Sequence, residues 1–213
     1  MVIEIILPIM TLKRIKNILI FGGGGHAISC IDLLSNNIYY VISGYIDKKQ
    51  NNSLQLKYLG NESQLEVIKK DCDCALIGIG QIKNLKIREE KYFLLKSFGF
   101  KLPNILSNIS YLSNDIIMGD SNSVFHNVVI NSKSIIGNNN IFNTRSLIEH
   151  EVIIGNNNHI STGVIINGSS KIGNNNFIGS GVVINNNLSI GNNCIIGSSV
   201  NIKKNVKDYE IIK

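Results

Sequence analysis

The chain has 213 residues, of which 44% are apolar and 17% charged, so it can bury the core of one large domain or two small ones. Its formal net charge of +6 is spread along the sequence without a basic block, which disfavours a nucleic-acid-binding arm and favours anionic metabolites such as nucleotides. The four cysteines form no C-x-x-C pair, which is typical of reduced thiols in a cytoplasmic protein.

The first ten residues, MVIEIILPIM, are apolar. This stretch is short, contains Glu4, and lacks both a basic leader and a small-residue cleavage site. We therefore expect neither a signal peptide nor a membrane span, and we interpret the stretch as an extension ahead of the first strand.

Predicted strands and helices alternate in the first half of the chain. KNILIFGGGGHAISCIDLL predicts a strand, a glycine turn and a helix, and YVISGYID predicts a second strand that ends at Asp47. SQLEVIKK predicts a helix, CALIGIG a third strand, and IREEKYFLLKSFGF an amphipathic helix. This order favours a small Rossmann-like α/β domain with a parallel sheet, which we place at residues 1–106.

The second half, residues 107–213, has a different pattern. From about residue 116 it divides into hexads without an insertion, and the third position is apolar from Met118 to Ile202. The motif IGNN begins at positions 136, 154, 172 and 190, each eighteen residues after the last. A period of six within a period of eighteen predicts three short strands per coil and a triangular parallel β-helix.

The hexad positions also predict where side chains lie. The third-position side chains point inward, where each buried isoleucine contributes about 1.5–3 kcal/mol. Glycine and asparagine are expected at the corners because both tolerate positive φ. The pattern itself does not give the handedness of the coil.

His150 stands between Glu149 and Glu151 at the fifth place of its hexad, which is a corner. One coil is eighteen residues, so Gly168 should lie directly above His150 at about 4.8 Å, the strand spacing. His159 takes the second place of a hexad and projects from another face. Within one chain the two histidines should not touch, and we expect them to cooperate only across a subunit contact, as around a three-fold axis.

The two halves together resemble the sugar-nucleotide N-acetyltransferase and sialic acid O-acetyltransferase family of left-handed β-helix acyltransferases, which includes the bacillosamine-pathway acetyltransferase. The resemblance rests on GGGGHAIS after the first strand, GYID after the second, GIG followed by IREEKY, then NTRSLIEHEVIIG and HISTG. It covers nearly the whole chain. It implies a left-handed coil and a homotrimer that uses acetyl-CoA and no metal, with active sites at the subunit boundaries.

The resemblance also implies roles for individual residues. His150 matches the general base and Glu151 the acidic residue that supports it, while His159 matches a histidine contributed by the neighbouring chain. Asn143 and Gly168 match positions that line the site. The residues that match the nucleotide-sugar pocket are Gly22, Gly23, Gly24, Gly25, His26 and Asp47.

The coenzyme end of the site departs from the family. Family members usually finish in a tail that helps to hold CoA, whereas this chain ends NIKKNVKDYEIIK. We therefore expect Lys203 and Lys204 to meet the CoA phosphates at the last coils.

The chemistry of acetyl transfer fits these residue types. A sugar amine that attacks a thioester must lose a proton, and an imidazole with a pKa near 6.5 can accept it. A neighbouring carboxylate fixes the tautomer, and a backbone N–H such as that of Gly168 can meet the developing oxyanion. We expect a cytoplasmic enzyme that acetylates the amino group of a nucleotide-linked 4-amino-4,6-dideoxy sugar for surface-glycan (lipopolysaccharide or O-antigen) synthesis.

Other functions stay open at this point. The chain could O-acetylate sialic acid or a related sugar, since the sequence separates amine from hydroxyl acceptors poorly. It could be a zinc enzyme of the γ-carbonic-anhydrase type through His126, His150 and His159, although their spacing does not match that family. Asp47 follows Gly25 at roughly the distance of a ribose-binding acid, which leaves a dinucleotide enzyme possible. A non-catalytic solenoid is a further alternative.

Overall fold

The computed structural model describes residues 15–35, 37–81 and 84–213, so the apolar start of the chain lies outside the described residues. The N-terminal domain contains, in order, β1 (Lys16–Phe21), α1 (Gly25–Ser35), β2 (Tyr40–Ile46), a 3₁₀ turn (Glu62–Gln64), α2 (Leu65–Asp71), β3 (Cys74–Ile77) and α3 (Ile87–Ser97). The three strands form a parallel sheet in the order β2–β1–β3. The predicted order of strands and helices is confirmed.

The C-terminal half is a parallel β-solenoid with three faces. Face 1 consists of Ile105–Leu106, Ser123–Val124, Ile141–Phe142, His159–Ile160, Phe177–Ile178, Ile195–Ile196 and Ile211–Ile212. Face 2 consists of Tyr111–Leu112, Val129–Ile130, Leu147–Ile148, Ile165–Ile166, Val183–Ile184 and Asn201–Ile202. Face 3 consists of Ile117–Met118, Ile135–Ile136, Ile153–Ile154, Lys171–Ile172 and Ser189–Ile190.

Strands pair with those eighteen residues away, as the hexads predict, except that the last strand pairs at a spacing of sixteen, Ile195 with Ile211. Each solenoid strand has two residues. The second one is the third residue of its hexad, and from Val124 to Ile202 these side chains form a continuous buried core. Strands at Ile105–Leu106 and Tyr111–Leu112 extend the coil ahead of residue 116. The domain division at residues 106 and 107 stays a prediction.

The corners show two different reasons for the IGNN motif. A left-handed backbone recurs every sixth residue, for example at Asn139, Asn157 and Asn193, as expected for asparagine. Glycine also takes this left-handed position, at Gly163 and Gly181, as predicted, but the glycine of the IGNN motif has a different role. Gly155 has no positive φ, and a Cβ there would lie 2.5 Å from Asn174 Oδ1 and 2.7 Å from the Gly173 carbonyl oxygen. Glycine is required because adjacent coils approach closely.

The N-terminal domain covers face 1. Ile105 and Ile141, which point outward from this face, are fully buried and share an apolar cluster with Ile18 of β1 and Ala27 of α1. By contrast, Tyr111 on face 2 and several outward residues of face 3 are exposed. All four cysteines are free and buried. Among the described residues, no helix has the length and apolar character needed to cross a membrane.

Candidate functional site

A cavity of about 650 Å³ opens at the carboxyl ends of the three parallel strands of the N-terminal domain. Ligands of open α/β sheets bind at this edge. Its walls include most of the residues predicted for the nucleotide-sugar pocket, namely Gly22, Gly24, Gly25, His26 and Asp47. The sequence analysis missed other lining residues, among them Glu62 and Lys91.

Asp47 shapes the glycine turn. Its Oδ2 accepts a 2.7 Å hydrogen bond from the Gly23 N–H, and Oδ1 accepts one from the Lys48 N–H. Gly23 does not line the cavity, because it packs against Tyr45, whose ring a Cβ at this position would meet at 2.7 Å. In the described residues, the N–H groups of Gly24 and Gly25 form no hydrogen bond. These free donors stand at the start of α1, where a helix favours an anion.

His26 lies in the first turn of α1, and its Nε2 is shielded from solvent without a hydrogen-bond partner in the described structure. Burial, followed by the positive charge of Arg88, lowers the pKa of His26 to about 3. Its ring is therefore neutral at physiological pH. The ring packs edge-on against Phe125 of the solenoid at 5.6 Å between centroids, so His26 lies where the cavity meets face 1.

His150 lies at the corner between faces 2 and 3 and is more than half exposed. Its Nδ1 is 3.1 Å from Glu151 Oε2, whereas the other flanking acid, Glu149, accepts from Asn131 Nδ2. A carboxylate at Nδ1 favours the proton on that nitrogen and leaves the Nε2 lone pair free. A Cβ on Gly168 would lie 2.7 Å from Nε2, so the imidazole lies directly against the next coil as the eighteen-residue period predicts.

The Gly168 N–H, like that of the other fifth-position residues in its column, donates to no acceptor within the described chain. It can therefore serve an incoming oxygen beside the His150 ring. Lys204 belongs to the same corner column, three coils beyond His150, and lines a cavity of about 320 Å³ together with Lys203. Asn143 lies instead at the corner between faces 1 and 2, where its Oδ1 accepts from the Thr144 N–H. Within one chain the structure does not bring Asn143 to His150.

His159 lies on face 1 and is only 7% exposed, because the N-terminal domain covers it. Its Nδ1 is 2.9 Å from the Gln81 carbonyl oxygen, and its ring lies 6.3 Å from that of His26. Burial lowers its pKa to about 4. The predicted separation of His150 and His159 within the chain is observed. The expected contribution of His159 from a neighbouring chain does not fit a side chain enclosed by its own N-terminal domain.

His126 joins the two domains. Its Nδ1 contacts Ser107 Oγ at 2.7 Å, and its Nε2 contacts Asp32 Oδ2 on α1 at 2.9 Å. Both ring nitrogens are therefore engaged within the chain. Among the residues that the structure describes, no three histidine, cysteine or acidic side chains converge as metal ligands. The arrangement gives no support to the zinc alternative.

The two halves match two protein families. Residues 17–92 match the PglD N-terminal domain, and residues 169–204 match the bacterial transferase hexapeptide (six repeats). Parts of the chain are therefore similar to the PglD N-terminal domain and to the hexapeptide repeats of bacterial transferases. No protein of curated function matches the sequence.

Solved structures share the complete two-domain fold of this chain. PerB from Caulobacter crescentus, solved with CoA and GDP-perosamine, is 23% identical, with a TM-score of 0.87 over 93% of this chain and 94% of PerB. The acetyltransferase domain of PglB from Neisseria gonorrhoeae, solved with acetyl coenzyme A, is 22% identical, with a TM-score of 0.87 over 93% of this chain and 96% of that domain. WeeI from Acinetobacter baumannii is 20% identical, with a TM-score of 0.63 over 91% and 94% of the two chains. These matches confirm the expected left-handed β-helix fold.

Proposed function

We propose that this protein is an acetyl-CoA-dependent N-acetyltransferase that acts on the amino group of a nucleotide-linked 4-amino-4,6-dideoxy sugar in surface-glycan synthesis. The observation that carries the proposal is the His150 imidazole, held by Glu151 at Nδ1 and pressed against Gly168 at Nε2. The two-domain likeness to structures that hold CoA and GDP-perosamine, or acetyl coenzyme A, supports it.

The amino group attacks the thioester carbon, and its proton passes to His150 Nε2 as the carbon–nitrogen bond forms. Glu151 stabilises the resulting imidazolium, while the Gly168 N–H meets the carbonyl oxygen as it gains charge. The C–S bond then breaks, and the CoA thiolate takes the proton from the imidazolium and leaves as the thiol. Lys203 and Lys204 hold the CoA phosphates, and Asn143 supports the pocket from a neighbouring chain of the assembly.

The nucleotide-linked sugar binds in the cavity of the N-terminal domain. Its diphosphate lies at the free N–H groups of Gly24 and Gly25, and Asp47 keeps the glycine turn in place. The reaction uses cytoplasmic metabolites, so we place the protein in the cytoplasm. Calorimetry with NAD and with nucleotide sugars tests this assignment, and tight NAD binding without a response to nucleotide sugars would overturn it.

The exposed apolar side chains beside His150 support a homotrimer with the active site at the subunit boundary. Tyr111 on face 2 and Ile117, Ile135 and Ile153 on face 3 lie on the two sides of the His150 corner. Exposed apolar columns of this kind mark protein–protein contacts.

His150→Ala tests the general base. We expect the acetyl-transfer rate to fall by roughly 10²- to 10⁴-fold, because the amine loses its proton acceptor. The matched control is His126→Ala, which removes a histidine from the fifth place of another hexad. Thioester cleavage is followed with a thiol reagent, on protein whose oligomeric state has been checked. A His150→Ala variant as active as wild type would exclude the proposed base.

The O-acetyltransferase alternative is tested with the same assay. A panel of nucleotide-linked 4-amino sugars, their hydroxyl counterparts and sialic acid separates the two acceptor types. We expect turnover with an amino sugar only. Turnover with the hydroxyl sugars or with sialic acid, and none with the amines, would favour the alternative.

A further inference from the structure

Arg88, in the first turn of α3, is completely buried. Its Nη1 donates to the carbonyl oxygens of Ile77 (2.8 Å) and Ile79 (2.7 Å), and its Nη2 donates to Asn139 Oδ1 of the solenoid (3.0 Å). Within residues 15–35, 37–81 and 84–213, its Nε finds no hydrogen-bond partner. Among the described residues, no carboxylate contacts this guanidinium. Burial of a guanidinium without a carboxylate partner costs free energy of desolvation, so a functional reason for the charge is expected.

The guanidinium lies directly behind the wall of the nucleotide cavity. Ile77 and Ile79 flank Gly78, and the cavity is lined by Gly78 and Ile79 and by Ile87, the neighbour of Arg88. The charge acts at the cavity, because it is one of the causes that lower the pKa of the cavity residue His26.

The cavity walls need such a charge. Three carboxylates line the cavity, those of Asp47, Glu62 and Glu90, against two ammonium groups, those of Lys48 and Lys91. Lys91 and Glu62 form an ion pair at 2.7 Å and offset each other, which leaves Asp47 and Glu90 against Lys48. Without a further positive group, the walls would repel a diphosphate that docks at the start of α1.

We propose that Arg88 is a positioning residue for an anionic nucleotide diphosphate, and that its uncompensated charge behind the cavity wall offsets the wall carboxylates. The inference rests on the proposed nucleotide-linked substrate. It identifies Arg88 as the positive group that lets the cavity bind the diphosphate of that substrate. Arg88 acts through the Ile77–Ile79 wall without touching the ligand. The same guanidinium joins this wall to the corner ladder through Asn139, whose Nδ2 donates to Asn157 Oδ1.

Asn139→Asp is the principal test, because it places a carboxylate against Arg88 without removing the guanidinium. Aspartate tolerates the left-handed backbone at this position, where φ is 56°. The matched control, Asn193→Asp, makes the same substitution three coils further along the same corner, also at φ 56°. Both variants change the net charge equally, and only the first neutralises Arg88.

Binding of UDP, GDP and dTDP is measured by calorimetry for wild type and both variants. For the diphosphate that wild type binds best, we expect about tenfold weaker binding to Asn139→Asp, which corresponds to one pKa unit of interaction energy, and at most about twofold to Asn193→Asp. The unfolding temperatures of both variants are measured as well, because Asn139→Asp gains a charge-assisted hydrogen bond to Arg88 but loses the Nδ2 donor to Asn157 Oδ1. Equal binding to all three proteins would overturn the inference.

Arg88→Lys and Arg88→Gln give a second readout that a purely structural role would not produce. Both lose the guanidinium geometry, but only lysine keeps the charge, so we expect Arg88→Lys to bind the diphosphate several-fold more tightly than Arg88→Gln. Equal weakening in both would overturn the inference. No binding of any diphosphate to wild type would overturn both the inference and the proposed substrate. Charge-dependent binding without acetyl transfer to any amine would overturn the proposed function alone.

Discussion

At the scale of single residues, the His150 site combines an ordinary contact with an unusual backbone. Glu151 occupies the left-handed corner position with φ 59°, a conformation that costs a residue other than glycine or asparagine about 1–2 kcal/mol. At this corner its carboxylate lies 3.1 Å from the neighbouring imidazole. The same left-handed backbone occurs at Lys133 and Arg145, so the strain belongs to the repeating corner, and the His150 site uses it to place a carboxylate.

Some of the site could be predicted from the sequence and some could not. The contact between His150 and Gly168 follows from the eighteen-residue period, because stacking places those two positions in register. The burial of His159 and Arg88 had no sequence signal. A histidine at an outward hexad position and an arginine in an amphipathic helix both normally indicate surface residues, and only the packing of one domain on face 1 encloses them.

Gly168→Ala is expected to reduce acetyl transfer strongly while the protein stays folded. The new methyl group would meet Cε1 and Nε2 of His150 at 2.7 Å, so the exposed ring must move away from the position that the Glu151 contact sets. Gly168 has no positive φ, so alanine does not strain the backbone. Steady-state kinetics and thermal unfolding check this, with Asn186→Ala in the same column as control. Full activity in Gly168→Ala would show that acetyl transfer does not require a glycine at this position.

The stability of the protein should fall as the pH drops from about 6.5 towards 4. Burial lowers the pKa of His159 to about 4, whereas the unfolded chain takes up a proton near 6.5. Between these values the unfolded state binds more protons, so the free energy of unfolding falls by about 1.4 kcal/mol per pH unit for this histidine. Urea unfolding at pH 7.0, 6.0 and 5.0 measures the slope. His159→Gln should reduce the slope but not abolish it, because the pKa of His26 is also lowered by burial, to about 3, and an unchanged slope would assign the dependence to other groups.

At the scale of elements, the asparagine ladder explains why the solenoid repeats so strictly. Asn156 Oδ1 accepts from the backbone N–H and the side-chain Nδ2 of Asn138 one coil earlier, and Asn156 repeats both bonds towards Asn174. Each asparagine therefore satisfies polar groups of the preceding coil. The hexads predict these strands because the pattern is local and periodic. Element ends in the N-terminal domain are less regular, because β3 stops at Ile77 and α3 at Ser97, each three residues before the predicted run ends.

Gly155→Ala is expected to destabilise the solenoid by about 1–3 kcal/mol, the usual range for overpacking. The added methyl group would lie 2.5 Å from Asn174 Oδ1 and 2.7 Å from a backbone carbonyl oxygen, neither of which can move without breaking the ladder. The control is Gly24→Ala, where a Cβ would meet nothing within 4 Å. Chemical unfolding of both variants measures the difference. Equal stabilities would show that the coils can relax around the methyl group.

At the scale of the whole molecule, the N-terminal domain packs on face 1 of the solenoid, whereas faces 2 and 3 stay uncovered within the chain. The N-terminal domain buries the outward isoleucines of face 1 and shares the apolar cluster that contains Ile105 and Phe125. Asp120 of the solenoid accepts from Tyr92 of α3 and pairs with Lys96, so polar contacts hold the same two domains together. The cavity in the N-terminal domain is therefore fixed relative to the coil.

Ile153→Asp is expected to dissociate the proposed trimer. Ile153 is 40% exposed on face 3, three residues after His150, and stacks with the exposed Ile135 one coil away. A carboxylate buried at a subunit contact loses its hydration without a partner, which favours separated chains. Sedimentation should show a shift towards the 23.5 kDa monomer, and acetyl transfer should fall in parallel if the proposed active site lies at the subunit boundary. Val67→Asp, on the exposed surface of α2, is the control and should leave the assembly unchanged. An intact trimer in Ile153→Asp would place the subunit contact elsewhere, and a fully active monomer would remove the need for a second subunit.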